Sequence, residues 1–156
     1  MIAVSTEKPA NARSMTVEHT RQIVRAYHAA YCGKDVRAAA AMLGDPFRFS
    51  SPMMTFDKPE QHVAALNRFV PFISNCDVIS ELHGEGEATL IYDLRVSLPP
   101  ATQRCAEHFR VRDDQIREIL IIVDATPWHP IIEAAATIRG PLEVASHSAK
   151  RSETHK

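Results

Sequence analysis

No two cysteines stand at CxxC spacing in this chain of 156 residues; the three present, Cys32, Cys76 and Cys105, are odd in number and far apart. That usage predicts neither a zinc site nor a disulfide framework, and it fits a reducing, cytoplasmic setting. The eight histidines form no HxH or HExxH pattern, so no metal and no cofactor is expected. Charge of one sign is also missing. With 18 basic against 19 acidic residues, there is no electrostatic footprint for nucleic acid or an anionic membrane. The longest strongly apolar run, Ile119 to Val123, falls far short of the roughly 20 residues that a bilayer span needs. Met1 to Ser14 has no basic stretch followed by an apolar core, so it does not read as a signal peptide. Met15 is an alternative start. Five glycines against ten prolines exclude a fibrous or low-complexity chain.

What is present suits one globular domain. Apolar residues make up 45% and charged residues 24%, and a chain of this length buries about two-thirds of its unfolded surface. Residues 1–14 read as a disordered arm, 15–143 as the domain and 144–156 as a frayed tail. Val17, Ile23, Val24, Tyr27 and Tyr31 recur at helical spacing, with Gly33 as the stop. Asp35 caps a second short helix through Leu43. Phe47 to Ser50 alternates as a short strand that Pro52 ends. A third helix starts at Asp57-Lys58-Pro59-Glu60, an Asp cap with Glu three positions on, and its apolar face is Val63, Leu66, Phe69 and Val70. Strand patterns follow over 76–83, 88–98 and 103–112. In the second of these, Leu90, Tyr92, Leu94 and Val96 share one face, opposite Asp93 and Arg95. Asp113-Asp114 is a turn. Ile116 to Val123 is apolar almost throughout, which predicts a strand covered on both faces. Pro130 to Arg139 reads as a closing helix. Helices first and strands later predict an α+β fold with an antiparallel sheet. Ala106, Leu120 and Ile122 on its outer face predict a homodimer surface.

Two stretches resemble the nuclear transport factor 2-like superfamily, which includes ketosteroid isomerase, the SnoaL-type cyclases and the limonene epoxide hydrolases. The first runs Val24-Arg25-Ala26-Tyr27-His28-Ala29-Ala30-Tyr31, through Lys34-Asp35, to Phe49-Ser50-Ser51-Pro52. The second is Glu107-His108-Phe109-Arg110-Val111. The resemblance covers about residues 17–128. It implies a cone-shaped fold in which three N-terminal helices pack on a curved antiparallel sheet, with a short C-terminal helix. It also implies that Tyr27 matches the isomerase's oxyanion-hole tyrosine and Glu107 its protonated oxyanion-hole Asp. Ser51 stands where the isomerase has its general-base Asp, and a hydroxyl cannot do that work without a base of its own. Ile121 occupies the place of the catalytic Asp of cyclases and epoxide hydrolases. Asp124 is three residues on and points to the other face.

Glu107 shares its strand face with Cys105, Phe109 and Val111, so it projects inward. Burial would hold its carboxyl neutral; the alternative is a partner for an arginine such as Arg48 or for a backbone group. Glu107 and Tyr27 are the candidate catalytic pair. Tyr31, Ser51, Met53, Met54, Phe69, Tyr92, Phe109, Ile121 and Trp128 are the candidate lining of an apolar pocket. Three readings follow. The first is a binding protein for a small hydrophobic, oxygen-bearing molecule. The second is an isomerase or cyclase-like enzyme in which Glu107 and Tyr27 polarise a carbonyl. The third is a dimerisation module with a filled pocket.

Overall fold

The computed structural model describes residues 15–98 and 100–130. The expected arm over 1–14, the body of the closing helix over 131–139 and the tail over 144–156 lie outside them. The chain divides after Asp124 into two compact units. In the first, α1 (Val17–Cys32) and α2 (Val36–Ala40) are followed by β1 (Leu43–Ser50), β2 (Thr55–Phe56) and α3 (Pro59–Phe69). Four long strands complete it: β3 (Ile73–His83), β4 (Glu87–Ser97), β5 (Pro100–Arg112) and β6 (Gln115–Ile122). In the second, the described part, residues 125–130, includes a 3₁₀ turn, Thr126–Trp128, with Trp128 buried.

Local chemistry accounts for the ends of α1. The Thr16 side chain accepts from the His19 N–H at 3.1 Å, supplying the N-cap. Gly33 ends the helix, and Lys34 follows with φ of 65°. Thr20 then pins the helix to the sheet: its hydroxyl donates to the Thr16 carbonyl and accepts the Gly86 N–H at 2.9 Å. Gly86 sits in the β3–β4 turn with φ of +78°, a conformation that side chains resist. The face of α1 carrying Thr20, Val24, Tyr27, His28 and Tyr31 is buried.

The sheet corrects the expected architecture. The fold is α+β with three helices, but the six strands run in the order β2-β1-β6-β5-β4-β3 and the sheet is mixed. β1 pairs with β6 in parallel; the other pairs are antiparallel. The sheet ends in two edges, β2 and β3, and is neither strongly curved nor closed, so the cone shape does not hold. The parallel pair arises because the first strand inserts beside the last. That pairing separates Leu43 from its partner Ile116 by most of the unit, and no local pattern signals it.

Other expectations shift. The second helix stops at Ala40, because Leu43 is already paired to β6. Lys58, not Asp57, is the N-cap of α3 and makes no side-chain cap bond; the Asp57 N–H donates instead to the Gln61 side chain. β6 is not covered on both faces, since Leu120 and Ile122 are 36% and 63% exposed. Asp113 and Asp114 form the β5–β6 turn with φ of 52° and 61°.

The cysteines also depart from expectation. Cys32, at the end of α1, and Cys76, on the edge strand β3, are joined in a disulfide across a sequence separation of 44, and Cys105 is free and buried. This corrects the expectation that the cysteines form no disulfide and removes the argument for a reducing compartment. Among the described residues no helix is long and apolar enough to cross a membrane.

A loop of that length, closed covalently, restricts the unfolded chain. Cys76→Ser is expected to lower unfolding free energy by about 2–4 kcal/mol. Denaturant titration with and without reductant checks this. Identical midpoints for wild type in both conditions would show that the cross-link contributes nothing.

Candidate functional site

The inward face of β5 carries Gln103, Cys105, Glu107, Phe109 and Val111, all buried. Strand alternation places them there, and Glu107 is the one carboxyl in the row. Its cross-strand neighbours are Leu90 on β4 and Ile121 on β6, both aliphatic. Glu107 is 2% exposed. Among the described residues it makes no ion pair. Arg48, the partner considered from sequence, points outward from β1, between inward Phe47 and Phe49. The contact Glu107 does make is from Tyr92, whose hydroxyl donates to Glu107 Oε2 at 3.1 Å. Burial pushes the Glu107 carboxyl up to about 8, and the Tyr92 hydrogen bond opposes this only in part. At neutral pH the group is therefore mainly a protonated, hydrogen-bond-donating acid.

Helices roof this strand face with aromatic hydroxyls and imidazoles. Tyr27 lies edge-on to Phe109, with ring centroids 5.8 Å apart, and its hydroxyl is 2.8 Å from His62 Nε2. Tyr31, one turn on, stacks on Phe69 at 6.4 Å and approaches Tyr92. His28 sits edge-on to Tyr92 at 4.6 Å. All three tyrosines have pKa values raised well above the ordinary value, by burial first and then by the nearby Glu107 charge. Burial lowers His28 and His62 to about 4, so both imidazoles are neutral. His62 stacks on Phe49 at 4.4 Å, and its buried Nδ1 has no hydrogen-bond partner among the described residues.

The residues expected at the site separate into two groups. Glu107, Tyr27, Tyr31, Tyr92 and Phe109 are buried, and each touches at least one other member of the aromatic cluster. Phe69 and Ile121 are half-buried beside them. Ser51 is taken up by its turn: its hydroxyl accepts the Met53 and Met54 N–H groups and donates to the Met54 carbonyl. Met53 and Met54 lie in that β1–β2 connection, Met54 exposed. Trp128 belongs to the second unit. His62 and His28 were not foreseen. The signal for His62 was its position four residues before Leu66, which places it on the buried face of α3.

Chemically, the cluster is a buried, largely apolar packing of neutral hydrogen-bond donors and acceptors. No group of three His, Cys, Asp or Glu side chains that could hold a metal occurs among the described residues.

No known protein-family pattern matches the chain, and no curated protein matches it. Solved structures do. An NTF2-like protein of unknown function from Cytophaga hutchinsonii superposes with a TM-score of 0.63 at 20% identity, covering 70% of this chain and 94% of that one. The fold is that of the NTF2-like proteins. A candidate ketosteroid isomerase from Kribbella flavida matches with a TM-score of 0.63 at 15% identity, over 90% of this chain and 94% of its own. An epoxide hydrolase of the LEH-like kind from M. tuberculosis matches at 0.62 and 12% identity, over 78% and 96%. NTF2-like architecture and a hydrophobic cluster are thus in place.

Glu107 links stability to pH. Its folded value of about 8 exceeds the ordinary 4.5, so its contribution is fully present below pH 4.5 and is lost as pH rises to about 8. His28 and His62 run the opposite way. Held at about 4 against an ordinary 6.5, they contribute above pH 6.5 and lose that contribution as pH falls toward 4. Glu107→Gln isolates the carboxyl. Wild-type stability relative to this variant is expected to fall by a few kcal/mol between pH 4.5 and 8 and then level off. Urea unfolding at several pH values measures it, and a pH-independent difference would refute a buried neutral Glu107.

Proposed function

We propose that this is a SnoaL-like, ketosteroid isomerase-like protein that binds a small, mostly apolar molecule carrying one or two oxygens. The molecule sits between the helices and the inward sheet face, against Tyr31, Tyr92, Phe109 and Ile121. Glu107 donates a hydrogen bond to its carbonyl, and Tyr27 stands by as the second donor. The observation that carries this reading is a protonated carboxyl buried between aliphatic neighbours with a single tyrosine contact. A group like that is costly to keep unless something uses its proton, because an unpaired buried polar group loses its hydration. The fold is shared with a candidate ketosteroid isomerase and an LEH-like epoxide hydrolase, and enclosures of this kind suit apolar ligands with few polar groups.

Calorimetry with a 3-ketosteroid and with 2-cyclohexenone tests the proposal. Saturable binding is expected to weaken about tenfold in Glu107→Leu, the loss of one hydrogen bond. It is also expected to weaken above about pH 8, where the proton leaves. Binding unchanged in the variant would remove Glu107 from the site.

One observation favours a catalytic second reading. His62 is a neutral base with a free ring nitrogen next to Tyr27, whereas the hydroxyl at position 51 is locked in a turn. Wild-type isomerisation of ketosteroids is expected to be negligible without a carboxylate at position 51. Brisk turnover that His62→Gln abolishes would establish the enzyme instead.

A second copy of the chain is the partner proposed for the outer sheet face. Leu82 is 69% and Ile122 63% exposed there, and the rows Leu82–Thr89–His108–Leu120 and Ile91–Ala106–Ile122 cross it. Ile122→Lys should dissociate such a dimer, since an unpaired buried charge is costly. Sedimentation giving a wild-type monomer at micromolar concentration would contradict it.

A further inference from the structure

β1 and β6 do not keep step. Leu43 pairs with Ile116, but the next pair is Arg48 with Glu118, so four β1 residues face one β6 residue, Arg117. β6 is itself irregular here: Arg110 pairs with Glu118 and Val111 with Ile116, which leaves Arg117 as the extra residue of a bulge against β5. Two irregularities at one place part the strands. The Arg117 side chain fills part of the gap and is only 19% exposed. It donates to the Asp45 carbonyl and lies 3.6 Å from the Asp113 carboxylate. Gly44 makes room for it; a Cβ there would stand 2.7 Å from Arg117 Nε.

The result is an open cleft of about 430 Å³ whose walls include Arg48, Arg110, Arg112 and Arg117. Its volume lies in the range of small-molecule sites. Three carboxylates, Asp45, Asp113 and Glu118, share the lining, so the guanidiniums outnumber them. Those pairings are loose. Arg110 is 3.5 Å from Glu87 and 3.9 Å from Glu118, well beyond the 2.7–2.9 Å of a charge-assisted hydrogen bond. Arg48 and Arg112 make no ion pair among the described residues. Planar guanidinium forks that converge with free donors match the oxygens of a phosphate.

We propose that this cleft binds a small soluble molecule through a phosphate group, with Arg48 and Arg112 as the principal ligands and Arg117 as the fixed floor. The site is separate from the Glu107 cluster, which faces the other side of the sheet. An isolated cleft, with a chain charge of −1 overall, favours a discrete phosphate over an extended polyanion.

Calorimetry and ¹⁵N-detected NMR of the full chain, titrated with pyrophosphate and with glycerol 3-phosphate, test the assignment. Saturable binding is expected, with shifts confined to the cleft arginines and weakening as salt is raised. Arg48→Ala combined with Arg112→Ala changes only exposed side chains. It should weaken binding at least about tenfold, while the outward-facing control Arg95→Ala leaves it unchanged. No saturation at millimolar phosphate, or equal binding by the double variant, would overturn the proposal. Preferential binding to phosphatidic acid vesicles over the soluble esters would also overturn it, because the ligand would then be a lipid headgroup on a surface.

Discussion

A carboxyl group removed from water must find a cation, neutralise, or destabilise the fold. Glu107 takes the second course. Its neighbours across the sheet are Leu90 and Ile121, and Tyr92 supplies one neutral hydrogen bond. Much of the interior is consistent with that choice. The tyrosine hydroxyls stay protonated partly because a Glu107 charge would oppose theirs. The two imidazoles stay neutral because burial disfavours their charged form. The buried face between the helices and the sheet therefore carries only uncharged donors and acceptors among its apolar side chains.

The elements with a strong local period were legible from sequence. Leu90, Tyr92, Leu94 and Val96 are buried, while Asp93 and Arg95 pair with Arg104 and Asp77 on the opposite face. Glu107 could be placed inward because Cys105, Phe109 and Val111 alternate around it. Tyr27 and Tyr31 followed from the helical spacing of α1. What escaped was non-local. The parallel β1–β6 pair, which makes the sheet mixed, joins two ends of the unit. Cys32 and Cys76 meet only once α1 lies against β3, so their sequence spacing misled. His62 fits no metal-ligand spacing, and only its helical phase with Leu66 marks it as buried. The bulge at Arg117 has no glycine to announce it.

The two faces of the sheet use the same backbone for different chemistry. Inward residues of β5 enclose an acid without a countercharge. Outward residues of the same strand, Arg110 and Arg112, reach the arginine-lined cleft where β1 and β6 part. Regular pairing over β4 and β5 keeps the inward row in register, and the irregular pairing beside it opens space. On the outward face of β6, Leu120 and Ile122 remain exposed.

The protonation state of Glu107 is the claim on which the interior reading turns. Carbon-detected NMR of the side-chain carboxyl, followed across pH in the full chain, reports it directly. The account predicts an unshifted, protonated signal at pH 6 and a midpoint at about 8. A midpoint in the ordinary carboxylate range near 4.5 would mean that the group is ionised at neutral pH, and the proposed hydrogen-bond donor would not exist.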